Sequence, residues 1–128
     1  LSDKFLAQET INMRRLFLPK SQTWVYENDK RIAGFIYLLD NVVGGIFVHP
    51  DWQRKGVGKL LMDQACSVHD TLELEMFKAN SQAIAFYNKY GFRVTSERHD
   101  EATNQPMLKL SYKKGEQANG PFLERFNP

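Results

Sequence analysis

The sequence of 128 residues contains a single cysteine, Cys66, which excludes an internal disulfide and a zinc site built from several cysteines. The sequence also lacks a large excess of charge of either sign, because 17 Lys and Arg and 15 Asp and Glu give a net charge of +2. So small a surplus creates no whole-protein field for nucleic acid. No apolar run approaches the roughly 20 residues that cross a bilayer. These absences predict a protein that binds neither nucleic acid nor membrane, most simply a cytoplasmic one.

The composition is that of an ordinary globular chain, with 42% hydrophobic and 25% charged residues. The length corresponds to one domain, because single domains most often have about 100–150 residues. We expect this domain to cover residues 1–112 and a loosely held tail, rich in Gly, Asn and Pro, to cover residues 113–128.

The first half of the chain is predicted to contain one helix and three strands. Apolar residues at broadly helical spacing predict a helix over residues 3–18, which Pro19 would end. Three segments are predicted as strands, because they are rich in β-branched and aromatic residues and are separated by Asn-Asp and Asp-Asn turn signals. They are Thr23–Glu27, Arg31–Leu39 and Val42–Val48. Gly44 and Gly45 inside the third strand indicate a bulge or a close backbone approach.

The second half alternates helices and strands. Apolar spacing predicts a helix from Val57 to Val68, and a second one that Asn80 or Ser81 caps and Gly91 ends. The predicted strands are Thr71–Phe77, Phe92–Glu97 and Met107–Tyr112, the last two around a polar loop over Arg98–Pro106. The fold class is therefore α/β or α+β, with a mainly antiparallel start.

A glycine-containing turn between a strand and a helix suggests anion binding. It reads Gln53-Arg54-Lys55-Gly56-Val57-Gly58, followed by Lys59. A helix N-terminus presents unpaired N–H groups, and glycines let a phosphate approach the backbone. The alternative is a loop that needs glycine only for its turn, because short glycine motifs have many false positives.

Asn80 and Tyr87 form a second candidate pair at the start of the second of these helices. The Tyr87 hydroxyl could donate a proton to a developing anion, although a tyrosine is a weak acid at neutral pH. The residues alone favour the alternative, in which Tyr87 packs in the core with Phe86 and Tyr90.

Two sequence patterns lie in order along the chain. The first, V-x-P followed by [Q/R]-x-x-G-x-[G/A], spans Val48–Gly58. The second, L-x-L-x-V-x-x-x-N-x-x-A-x-x-F-Y-x-x-x-G-F, spans Leu72–Phe92, with Met76 where Val is usual. Together they resemble the signatures of the GNAT superfamily of N-acetyltransferases, and the resemblance extends from Trp24 to about Leu110.

The resemblance implies the GNAT fold, a central sheet flanked by helices and splayed at an acetyl-CoA site, with no metal. It implies that Phe47 and Val48 pair with the pantetheine arm, which Asn80 also contacts. The pyrophosphate would bind the turn, and Tyr87 would protonate the leaving thiolate. The cofactor-binding residues it implies are Phe47, Val48, Gln53, Arg54, Lys55, Gly56, Val57, Gly58, Lys59, Asn80 and Tyr87.

The implied reaction is direct attack of a primary amine, of a small molecule or a protein, on acetyl-CoA in a ternary complex. The candidates for the base that deprotonates the amine are Glu75, Glu73, His49 and a water chain, and Glu75 is the tentative choice. A strand carboxylate such as Glu75 more often ends in water or in an ion pair. A non-catalytic acyl-CoA-binding module and a general nucleotide-phosphate binder are alternative functions. The protein would be a monomer or a homodimer.

The motif positions also predict that the family's first strand and helix are missing before Thr23–Glu27. The edge of that strand would then be uncovered or paired by another chain.

Overall fold

The computed structural model describes residues 11–115, and their side chains from Met13 onward. The chain divides into two compact units, the first ending at His69 and the second beginning at Asp70.

The first unit begins with an antiparallel meander of four strands, joined by turns of two residues. The strands are β1 (Ile11–Leu18), β2 (Ser21–Asn28), β3 (Arg31–Leu39) and β4 (Val42–Val48). In the turn between β2 and β3, Asp29 and Lys30 both have positive φ, 49° and 67°. Two such residues give the turn that matches the twist of a hairpin. The three strands predicted here are confirmed.

The predicted helix over residues 3–18 is wrong for its second half, and residues 1–10 lie outside the described part of the chain. Ile11–Leu18 is instead a strand that pairs with β2 along its whole length. The side chain of Arg14 donates to Glu27 Oε1 at 2.8 Å. The spacing of apolar residues in a short segment does not by itself distinguish a helix from a strand. Backbone pairing with β2 therefore decides the conformation of this segment. The expectation that no strand precedes Thr23–Glu27 is also wrong, because β1 covers that edge.

A helix packs on this meander and forms the core of the first unit. It is α1 (Val57–Cys66), preceded by a 3-10 turn at Pro50–Trp52. Leu61 and Met62 of α1 are fully buried, as are Ile36 and Leu38 of β3. The sequence prediction of this helix is confirmed, although it ends two residues before Val68.

The ring of Tyr37 lies directly against the two adjacent glycines in β4. The register between β3 and β4 shifts at this point, with Tyr37 opposite Gly45 and Leu38 opposite Val43, which leaves Gly44 as a bulge. A Cβ at Gly45 would lie 2.5 Å from Tyr37 Cε1, and one at Gly44 would also collide with the ring. The expected bulge and the expected close approach are therefore both present.

The second unit contains β5 (Thr71–Phe77), α2 (Ser81–Tyr90), β6 (Arg93–Asp100) and β7 (Gln105–Lys113). Its strands form an antiparallel sheet in the order β5-β7-β6. Leu72, Leu74 and Met76 are buried on one face, while Glu73 and Glu75 alternate onto the other. The predicted loop Arg98–Pro106 is too long: Arg98 pairs with Met107, and the strands continue to a four-residue loop, 101–104. Lys113, the first residue of the predicted tail, ends β7, and residues 116–128 lie outside the described part.

Candidate functional site

The turn before α1 is tied to the end of β4. Gln53 ends the 3-10 turn, and its Nε2 donates to the carbonyl oxygen of Val48 at 3.1 Å. Its backbone N–H donates to Pro50 O at 3.3 Å. These two bonds fix where the chain leaves the strand and enters the predicted phosphate-binding segment.

The segment itself leaves its amides available. Arg54 and Gly56 both have left-handed backbone conformation, with φ of 63° and 87°. Gly56 is the N-cap of α1 and provides no side-chain cap, and the first helical hydrogen bond is donated by Leu60 N to Gly56 O at 3.1 Å. The N–H groups of 57–59 therefore have no partner within the helix, and no acidic residue in the first turn competes for them. This geometry fits a phosphate group.

The cations around the turn differ in their availability. Arg54 and Lys55 are exposed, and the Lys55 ammonium lies 5.5 Å from the centroid of the Trp52 ring. Lys59 instead donates to Asp63 Oδ2 at 2.9 Å, one turn along α1. Arg54 and Lys55 are thus better placed than Lys59 to add charge to a bound anion.

The end of β4 presents one exposed aromatic residue. Phe47 pairs with Phe35 across the strands, and the two rings stack with centroids 5.6 Å apart. The Phe47 side of this stack remains 45% exposed. Val48 pairs with Gly34, where any Cβ would lie 2.6 Å from Phe47 O. The backbone at Phe47 and Val48 is thus held firmly from the β3 side.

In the second unit, Asn80 has the capping role that its position predicted. Its Oδ1 accepts from Ala83 N at 3.1 Å, which begins α2. The helix ends at Gly91, where φ is 126°. The carbonyl oxygen of Tyr87 accepts from both Gly91 N and Phe92 N, at 3.0 and 2.9 Å. Asn80 and Gly91 together set the length of the helix that carries Tyr87.

Tyr87 lies in an aromatic cluster at the end of α2. Its ring packs edge-on against Phe86 and Phe92, with centroids 5.3 and 5.5 Å away. Burial raises the pKa of the Tyr87 phenol above its ordinary value, so it keeps its proton at neutral pH.

The two carboxylates predicted on β5 are in ion pairs. Arg98 donates from Nη2 to Glu75 Oε1 at 2.8 Å and from Nε to Oε2 at 3.0 Å. These hydrogen bonds lower the pKa of Glu75. Lys109 lies 3.5 Å from Glu73 Oε1. His49, the third candidate base, accepts from Asp51 N at its Nδ1, at 3.1 Å.

Sequence reasoning missed Arg98 and Asp100 as partners of the β5 carboxylate. Arg98 also donates to Asp100 Oδ1 at 3.2 Å, and Asp100 accepts from Thr103 Oγ1 at 2.6 Å. Arg98 reaches Glu75 across the intervening β7, 23 residues away in sequence. No local pattern signals such a contact, because it follows from the strand order.

The described part of the chain shows neither a metal site nor a membrane-spanning helix. Within residues 11–115, no three His, Cys, Asp or Glu side chains cluster as a metal site, and Cys66 is buried. In the same part of the chain, neither helix has the length and apolar character to cross a bilayer. The predicted residues thus divide between the two units: the end of β4 and the turn in the first, and Glu75, Asn80 and Tyr87 in the second.

Comparison with known proteins identifies the family. Residues 19–94 match the acetyltransferase (GNAT) domain. The peptidyl-lysine N-acetyltransferase YjaB of Escherichia coli is 36% identical over 107 residues, which cover 81% of this chain and 73% of YjaB. YiaC, a peptidyl-lysine N-acetyltransferase of the same organism, is 32% identical over 101 residues, 78% of this chain and 69% of YiaC.

A solved structure supports the same fold. A GNAT family acetyltransferase from Elizabethkingia anophelis with acetyl-CoA bound superimposes with a TM-score of 0.70, at 15% identity, over 80% of this chain and 97% of that one. The predicted α+β fold is confirmed, and so is acetyl-CoA as the cosubstrate. The chain belongs to the GNAT family and is an acetyl-CoA-dependent N-acetyltransferase.

Proposed function

We propose that the protein transfers acetyl from acetyl-CoA to the side-chain amine of a protein lysine, by direct attack in a ternary complex. The observation that carries the proposal is the uncapped N-terminus of α1 behind the left-handed Gly56, in a chain of the GNAT family. The choice of lysine rests on YjaB and YiaC, which are both peptidyl-lysine N-acetyltransferases.

The first unit supplies the groups for the cosubstrate's charged and extended parts. We assign the pyrophosphate to the backbone N–H groups of 54–59, since those of 57–59 have no partner within the helix and lie at its positive end. We assign the pantetheine arm to the backbone of Phe47 and Val48. Asn80 would contact the same arm through its Nδ2, because its Oδ1 is used as the helix cap.

Tyr87 is assigned as the general acid. Acetyl-CoA supplies the thioester, whose sulfur leaves as a thiolate that needs a proton. The Tyr87 phenol holds its proton at neutral pH, and the Phe86 and Phe92 rings fix its orientation. General acids of this kind contribute roughly 10²–10⁴ in rate.

The amine must be deprotonated before it attacks. A lysine amine has a pKa of about 10.4, so only about one in 2,500 is neutral at pH 7. Glu75 remains the predicted base, but its two hydrogen bonds from Arg98 make it a poor one in this arrangement. A water chain meets the same need without breaking the ion pair.

The acceptor class is tested with purified protein by measuring thiol release from acetyl-CoA. The panel contains a lysine peptide, the same peptide with acetylated lysine and a free N-terminus, spermidine and an aminoglycoside. We expect turnover with the lysine peptide at least tenfold above the others, and mass spectrometry should place one acetyl group on the lysine. Faster turnover with any other amine would overturn the lysine assignment. Binding of acetyl-CoA without turnover of any amine would overturn the transfer itself.

A further inference from the structure

Linked charges lie on the face of the second unit's sheet that is opposite its buried apolar residues. Arg98 of β6 donates to both carboxylate oxygens of Glu75, from Nη2 at 2.8 Å and from Nε at 3.0 Å. Its remaining nitrogen, Nη1, donates to Asp100 Oδ1 at 3.2 Å. A single guanidinium therefore holds two carboxylates through different edges.

The two carboxylates are not held equally. Asp100 also accepts at its Oδ2, from the backbone N–H of Thr103 at 3.1 Å and from the Thr103 hydroxyl at 2.6 Å. Within residues 13–115, the hydrogen bonds that Glu75 accepts all come from Arg98. The side chain of Asp100 is 21% exposed and that of Glu75 is 42% exposed. When these three side chains separate, Glu75 is therefore the one that leaves, and Arg98 stays with Asp100.

An acceptor ammonium that pairs with Glu75 competes with Arg98, which already donates to both oxygens. Once Glu75 turns to the ammonium, the Nε and Nη2 edge of Arg98 loses its acceptor, while Asp100 keeps the guanidinium in place. An arginine edge of this kind binds a carboxylate through two parallel hydrogen bonds. The exchange of partners thus creates a fixed carboxylate-binding group next to the bound amine.

Arg98 is better placed for this purpose than the neighbouring cation, Lys109. Lys109 lies opposite Glu75 in the pairing of β5 with β7, but its Nζ is 3.5 Å from Glu73 Oε1. A carboxylate of the protein therefore already compensates the charge of Lys109. The Arg98 side chain is 50% exposed, so a peptide in solution can reach it.

We infer that Arg98 selects the acceptor, and that the preferred substrate is a lysine with an aspartate or glutamate close to it in the same peptide. The inference rests on the proposed function, because it requires Glu75 to meet the acceptor amine. The lysine ammonium pairs with Glu75 and the peptide's carboxylate pairs with Arg98, so the exchange conserves the number of ion pairs. A peptide that carries only the lysine leaves Arg98 with one partner fewer and binds less tightly.

The test compares kcat/KM for a series of end-capped peptides that each contain one lysine. Glutamate, or glutamine as its neutral counterpart, is placed at one of the two positions on either side of that lysine. With the wild type, glutamate at the best of these positions should raise kcat/KM about three- to tenfold over glutamine, because the contact is charge-assisted but half exposed. The gain should come from a lower KM, since the exchange accompanies binding. Arg98→Gln should reduce the ratio to about one.

Lys78→Gln is the matched control and should keep the wild-type ratio. Lys78 also forms an exposed ion pair with β6, to Glu97 at 3.1 Å, and its replacement removes the same charge. Equal kcat/KM for the glutamate and glutamine peptides, a preference that persists in Arg98→Gln, or its loss in both variants would overturn the inference and leave lysine acetylation standing. Failure of every lysine peptide to react would instead overturn the proposed function.

Discussion

The side-chain amide of Gln53 donates a hydrogen bond to the carbonyl oxygen of Val48, 3.1 Å away. This bond joins the first residue of the glycine-containing turn to the last residue of β4. The two residues are assigned to different parts of the cosubstrate, the pyrophosphate and the pantetheine arm. The bond therefore fixes the spacing between two binding groups before any ligand arrives.

Replacing Gln53 by Ala should weaken acetyl-CoA binding about two- to tenfold, since one hydrogen bond contributes about 0.5–1.5 kcal/mol. Calorimetry measures the effect. Gln64→Ala is the matched control, because the Gln64 amide donates to Ser67 Oγ at the end of α1, away from the turn. Equal affinities of the wild type and Gln53→Ala would show that the link does not organise the site.

Gly56→Ala should lower the free energy of unfolding by about 1–2 kcal/mol, because φ of 87° is left-handed and unfavourable for Ala. The cause is conformational, since a Cβ at this position would contact nothing within 4 Å. Gly56→Asn is the control and should retain most of the stability, because Asn tolerates this conformation. Urea unfolding distinguishes the variants, and equal losses for Ala and Asn would point to a steric cause instead.

Tyr87→Phe should lower kcat by about 10²–10³ and leave the affinity for acetyl-CoA within about twofold, because it removes only the proton donor. Since burial raises the pKa of Tyr87, this residue should introduce no loss of activity between pH 7 and about pH 10 in the wild type. Tyr90→Phe on the same helix is the control and should be near wild type. An unchanged kcat in Tyr87→Phe at every pH would exclude the assigned role.

The Glu75–Arg98 pair should make stability depend on pH in one direction. Its hydrogen bonds lower the pKa of Glu75 in the folded state, so the stabilisation is complete above the unfolded pKa, about 4.3, and disappears as pH falls through the lower folded value. Glu75→Gln should therefore reduce the urea midpoint slightly at pH 7 and have less effect below about pH 4. The effect is small because both side chains are substantially exposed. Glu101→Gln, in the exposed 101–104 loop, is the control. A larger loss of the urea midpoint in Glu75→Gln at low pH than at pH 7 would contradict the assignment.

Much of the fold follows from local signals in the sequence. Asn80 and Gly91 define α2 through contacts with residues close to them in sequence. Asn80 caps the first turn of the helix, and Gly91 ends the helix with a hydrogen bond from its N–H to the carbonyl oxygen of Tyr87. The glycines of β4 were expected to mark a bulge or a close approach, and they mark both. Ile11–Leu18 was misassigned because its conformation is set by pairing with β2, which its own apolar spacing does not encode.

The electrostatic surroundings of the candidate site follow less readily from the sequence. Glu75 was identified as a candidate, but its pairing with Arg98 depends on β7 lying between β5 and β6. The start of α1 at Val57 was predicted correctly, because the glycine-containing turn and the apolar spacing of the helix are adjacent in sequence. Contacts between distant strands require the topology, and no residue pattern in one strand supplies it.

The Tyr37 ring packs on the backbone of Gly44 and Gly45. The order in which Tyr37 and these glycines are substituted therefore matters. An alanine at position 45 meets the ring at 2.5 Å while Tyr37 is present, so the ring must move for the strand to keep its path toward Phe47 and Val48. A small residue at position 37 first would remove that obstacle. A route that replaces either glycine, by selection or by engineering, is therefore easier when it begins at Tyr37 on the neighbouring strand β3.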